Sequence, residues 1–123
     1  MPLSEYLKDA LVASKWDEAK KGAGDLQSSL KDVSGAAAAI ELSSKLANAT
    51  NLEEQRKLFS TLSNEMATLV KGGKLSMGML YLEYCPMANN NTGAYWLSNE
   101  KEIKNPYFGD KMLKCGSVKE MIQ

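Results

Sequence analysis

The stretch on which the fold turns is Trp16-Asp17-Glu18-Ala19-Lys20-Lys21-Gly22-Ala23-Gly24-Asp25-Leu26-Gln27-Ser28-Ser29-Leu30-Lys31-Asp32-Val33. Its apolar residues Trp16, Ala19, Ala23, Leu26, Leu30 and Val33 recur at intervals of 3, 4, 3, 4 and 3. That period places them along one stripe of an α-helix, whereas a half-buried strand would alternate every second residue. Ser14 and Asp17 resemble a capping box in front of it. Gly22 and Gly24 each cost about 1 kcal/mol against alanine inside a helix, which leaves room for a kink or frayed turn there.

Outward from this seam the same grammar repeats. Ser4 is placed to cap a preceding helix that carries Leu3, Leu7 and Leu11 on one stripe. Beyond Ser34-Gly35, the run from Ala36 to Ala49 carries Ala39, Leu42, Leu46 and Ala49, a seam of small side chains that permits close helix approach. Thr50-Asn51-Leu52-Glu53 reads as another capping box, followed by Leu52, Phe59, Leu62, Met66 and Leu69 up to Gly72-Gly73. Helices joined by connections of a few residues run antiparallel to their neighbours. The expectation is therefore an all-α chain, an up-and-down four-helix bundle over residues 3–73 with a loop-rich cap over 74–123, together one domain spanning residues 1–123.

The cap differs in composition. Met79, Tyr81, Glu83 and Cys85 alternate with Leu80, Leu82 and Tyr84, which suits a short extended segment. Asn89-Asn90-Asn91-Thr92-Gly93 and Asn105-Pro106 are turn signals that flank Tyr95-Trp96-Leu97. Residues 74–123 hold both cysteines, four of the five tyrosines and five of the seven methionines. So many aromatic and sulfur side chains in a segment with little regular structure must pack on the bundle or fold around something. Tyr95, Trp96, Tyr107 and Phe108 read as the core that pins this loop, in preference to a ligand pocket. Arg56, the lone arginine, reads as a surface ion pair with Glu53 or Glu54.

Composition bounds the chemistry. At 123 residues and 13.5 kDa the chain can bury a core without a covalent staple. Fifteen Lys plus Arg balance fifteen Asp plus Glu, so no net field draws it to nucleic acid or anionic lipid. No apolar run reaches the roughly 20 residues that span a bilayer. With no histidine, Ser-His-Asp, Cys-His and His-metal chemistries are excluded. Met1-Pro2-Leu3-Ser4-Glu5 opens without a basic start or an apolar stretch, so the expectation is a cytosolic chain or one whose targeting segment lies outside this sequence.

What remains is sulfur. Cys85-Pro86-Met87 and Met112-Leu113-Lys114-Cys115-Gly116 each set a cysteine and a methionine two or three residues apart. Thiolate plus thioether is a soft donor set that selects Cu(I) or Ag(I) over harder divalent ions. Zinc and iron-sulfur clusters ask for more Cys or His ligands than two. Three readings stay open on spacing alone: a metal site, a Cys85–Cys115 disulfide contributing roughly 3 to 4 kcal/mol through loop entropy, and buried inert thiols.

Tyr84-Cys85-Pro86-Met87-Ala88-Asn89-Asn90, Gly93-Ala94-Tyr95-Trp96-Leu97-Ser98 and Glu102-Ile103-Lys104-Asn105-Pro106-Tyr107-Phe108-Gly109-Asp110-Lys111-Met112-Leu113-Lys114-Cys115-Gly116 resemble a bacterial family of unknown function, number 3347. That family is also found appended to periplasmic adaptor subunits of copper and silver efflux pumps. The resemblance is close over residues 79–120 and one of pattern over Leu3 to Gly72, with Tyr6-Leu7 near the start and Glu54-Gln55-Arg56 opening the last helix. It implies a periplasmic or otherwise exported helical-bundle domain in heavy-metal handling. Its sulfur motif falls on Cys85, Met87, Met112 and Cys115.

The expected function is thus Cu(I) or Ag(I) binding for sequestration or transfer to an efflux-pump adaptor or other periplasmic protein. Cys85 and Cys115 would serve as thiolates, Met87 and Met112 as thioethers, and Lys111 or Lys114 would offset the surplus negative charge. The rival is a structural or interaction module held by a Cys85–Cys115 disulfide. No enzymatic reaction, nucleic-acid partner or membrane span is expected.

Overall fold

The computed structural model describes residues 2–73, 79–109 and 112–122. Four helices come first: α1 (Pro2–Val12), α2 (Trp16–Leu30), α3 (Ala37–Ala47) and α4 (Leu52–Lys71). Then follow β1 (Leu80–Cys85), a helical turn α5 (Ala88–Asn91), β2 (Ala94–Ser98) and β3 (Ser117–Ile122). The strands form an antiparallel sheet in the order β2-β1-β3. The all-α expectation is therefore wrong, and the fold is four helices with a three-stranded sheet.

The cause is tertiary. Alternation from Leu80 to Cys85 marked β1, but β2 and β3 are short and embedded among Asn, Gly and Pro turn signals. Their partner is supplied from a distance: Tyr84 of β1 lies opposite Tyr95 on one side and Ser117 on the other. Non-local pairing of that kind leaves only a weak local pattern.

Each helix packs mainly on the next in sequence, and α4 lays its other side on β2. Leu7, Leu11, Leu26, Leu30, Leu46 and Leu62 are all buried, each contributing roughly 1.5–3 kcal/mol of transfer free energy. Helix α2 is continuous through both of its glycines. Gly22 has a packing reason: a Cβ there would lie 2.9 Å from Tyr6 Cδ1 and 3.3 Å from the Leu7 Cα. It lets α1 and α2 approach.

The helix starts differ in detail from the sequence reading. Ser4 lies inside α1. Lys15 precedes α2 without a side-chain cap, and Ser14 instead accepts a hydrogen bond from Arg56 at 3.0 Å. At α4 the cap is Asn51, one residue beyond the expected Thr50, its Oδ1 accepting from the Glu54 N–H at 2.8 Å. Gly72 and Gly73 close that helix as read, with Gly73 at φ +75°.

Arg56 is no surface ion pair. Its Nε donates to the Pro106 carbonyl at 2.8 Å and its Nη2 to the Leu11 carbonyl at 2.7 Å. One side chain thus ties α4 to the end of α1 and to the loop between β2 and β3. Of the aromatic residues read as core there, Trp96 and Tyr107 are buried in an edge-on contact at 5.9 Å, Phe108 is half-buried, and Tyr95 is exposed, its carbonyl accepting from the Tyr107 hydroxyl.

Candidate functional site

The two cysteines come together at one end of the sheet. Cys85 is the last residue of β1 and pairs with Ala94 of β2. On the other flank Tyr84 pairs with Ser117, which brings Cys115, two residues ahead of Ser117, alongside Cys85. Both are free thiols. The Cys115 thiol lies close enough to Cys85 and to the Met87 backbone for both to act on it. Interaction with the neighbouring Cys85 thiol, aided by burial, holds the Cys115 thiol above its ordinary value against the opposing Met87 backbone.

Local chemistry explains the placement. Pro86 lacks an N–H and ends β1, so the chain turns at Met87 into α5. On the other side, Gly116 sits at φ +141°, where a Cβ would lie 3.0 Å from both Trp96 Cη2 and the Tyr84 carbonyl. Only glycine lets the chain pass this close to β1 while delivering Cys115. Asn105 then fixes the cysteine: fully buried, it donates from Nδ2 to the Cys115 carbonyl at 2.8 Å. Its backbone N–H bonds to the Leu113 carbonyl at 2.8 Å, and its Oδ1 accepts from the Tyr107 N–H at 2.8 Å. In the sequence, Asn105 carries only a turn signal beside Pro106.

Met87 and Met112 are 45% and 36% exposed. Met87 belongs to the turn after Cys85, and the Met112 carbonyl accepts the Cys115 N–H at 3.0 Å. Both thioether residues are therefore bound to the cysteine segments through the backbone, with side chains open to solvent. Of the two lysines considered for charge compensation, Lys111 lies outside the described residues, and Lys114 is engaged by Glu102 at 2.9 Å. Among the described residues no group of three or more His, Cys, Asp or Glu side chains is placed to hold a metal ion.

A second polar centre went unread in the sequence. Glu83 shares a face of β1 with Cys85, lies opposite Trp96, and has no exposed surface. Neither carboxyl oxygen nor the Trp96 Nε1 has a hydrogen-bond partner of good geometry among the described residues. Burial pushes the Glu83 carboxyl up to about 7, opposed by the Trp96 N–H and by Lys8. Lys8, 1% exposed, is held by Asp9 at 3.1 Å and Glu5 at 3.3 Å, with Ser98 Oγ at 3.4 Å. Burial pulls its ammonium down, but the Glu5 and Asp9 carboxylates outweigh that and hold it above the ordinary lysine value. A charged residue inside the Leu80–Cys85 alternation was the available signal.

No curated protein and no solved structure matches the chain. A family described as "Protein of unknown function (DUF3347)" matches residues 4–78. The match lies on the helical part, so residues 79–123 with all four candidate sulfurs fall beyond it, the reverse of where the resemblance was read as closest. Covering more than half of the sequence, it shows that the chain belongs to the DUF3347 family of proteins of unknown function.

Proposed function

We propose that this chain is an extracytoplasmic domain that takes up Cu(I) or Ag(I) as cargo, for sequestration or for transfer to an efflux-pump adaptor or another exported protein. The observation that carries the reading is the contact between two free thiols drawn from distant parts of the chain, Cys85 and Cys115, at an edge where Met87 and Met112 reach solvent. Soft monovalent ions accept two thiolates, and thioethers supply neutral donors that complete or exchange coordination. The donor set fits: the sulfurs come from segments fixed by Pro86, Gly116 and Asn105. Two thiolates on a monovalent ion leave one negative charge, which solvent reaches from the partly exposed Cys115 side.

A competition titration of fully reduced protein against a chromophoric Cu(I) chelator tests this. One equivalent withdrawn from the chelator, abolished by Cys85→Ser or Cys115→Ser and weakened less by Met87→Leu, is the expected result. The same thiol contact also favours a second reading, a structural disulfide that ties the β3 segment to β1. Reduced protein that leaves the chelator fully loaded would select it.

A further inference from the structure

We propose that Cys85 and Cys115 form an asymmetric dithiol: Cys115 attacks a low-molecular-weight disulfide of the glutathione class, and Cys85 resolves the mixed disulfide to leave a Cys85–Cys115 bond. Three observations carry this. The thiols are near enough to interact, and the pairing of Tyr84 with Ser117 sets Cys85, next to Tyr84, beside the chain that runs through Cys115 into β3. Access is unequal, because Cys85 has no exposed surface while Cys115 is partly exposed. Finally, Asn105 holds the Cys115 backbone in this position through its carbonyl.

The chemistry balances. The Cys115 sulfur bonds to one sulfur of the small disulfide, whose other half leaves as a thiolate and takes up the Cys115 proton. The Cys85 sulfur then attacks the Cys115 sulfur and expels the second thiol, which takes up the Cys85 proton. One disulfide is reduced to two thiols, and the cysteine pair loses two electrons. Cys115 takes the first step because it is partly exposed, whereas Cys85 offers no surface to a disulfide in solution. On the proposed metal reading, closure removes both thiolates from the cargo, so oxidation would release the ion. That consequence rests on the reading above, while the order of exchange does not.

The experiment treats reduced full-length wild type, Cys85→Ser and Cys115→Ser with oxidised glutathione and follows intact mass. Cys85→Ser, which keeps Cys115, should gain one adduct about tenfold faster or more than Cys115→Ser. Wild type should converge on a species about two mass units lighter, without accumulating a double adduct. The alanine variants should repeat the order, and circular dichroism identifies any variant that does not fold. Equal rates, faster labelling of Cys115→Ser, a double adduct on wild type, or folded wild type that stays reduced would each overturn the proposal. Exchange in the expected order by protein that binds no Cu(I) when reduced would end the metal reading alone.

Discussion

Replacing Glu83 by glutamine should stabilise the protein at neutral pH, and the gain should vanish in acid. The carboxyl has no exposed surface and no hydrogen-bond partner of good geometry among the described residues, and burial lifts it from 4.5 to about 7. The folded state therefore holds the Glu83 proton more tightly than the unfolded chain does. Its contribution is fully present below about pH 4.5 and is lost as pH rises through 7. At about 1.4 kcal/mol per pH unit, the interval amounts to roughly 3 kcal/mol. Glutamine keeps the shape of the neutral acid but has no proton to lose. Urea unfolding of both proteins at intervals from pH 4 to pH 8 should give nearly equal stabilities at the acid end. The variant's advantage should grow to roughly 3 kcal/mol by neutrality and level off above it. Using the difference between the two proteins cancels the other carboxylates. Parallel curves, or a gap that opens toward acid, would refute the idea that burial governs this group.

Four further variants test the packing. Gly22→Ala should lose roughly 1–2 kcal/mol in denaturant unfolding despite better helix propensity, because its Cβ meets Leu7 backbone at 3.3 Å; Gly24→Ala, with open space around it, should gain about 0.5–1 kcal/mol. Arg56→Met, which leaves the Pro106 and Leu11 carbonyls without their donor, should cost roughly 2 kcal/mol and speed hydrogen exchange at the Tyr107 and Gly109 amides. Asn105→Ala should cost roughly 2–3 kcal/mol by chemical denaturation. It should also weaken Cu(I) competition several-fold, because the Cys115 carbonyl loses its Asn105 donor.

The helical half was legible because it is written locally. The seam from Trp16 to Val33 and the run from Leu52 to Leu69 carry their period in contiguous residues, and both segments fold as helices. The sheet was hidden because β2 and β3 acquire their state from β1, and five- or six-residue strands beside Asn and Gly look like loops until paired. In the site, the paired Cys-Met spacing suggested that four sulfurs converge; the structure sets Cys85 and Cys115 close together and leaves the Met87 and Met112 side chains exposed. Asn105, Lys8 and Glu83 escaped notice for a common physical reason. A polar residue announces itself in sequence as surface or turn, and its burial is decided by what other elements bring to it. Arg56 shows the same limit, since its acceptors come from Leu11 and Pro106, far away along the chain.

The most direct measurement is sulfur K-edge and copper K-edge absorption of reduced protein titrated with one equivalent of Cu(I). Copper bound only through sulfur, with the signal lost in the Cys85→Ser/Cys115→Ser double variant, is the outcome expected here. Copper held by nitrogen or oxygen, or a spectrum that the double variant leaves unchanged, would contradict it.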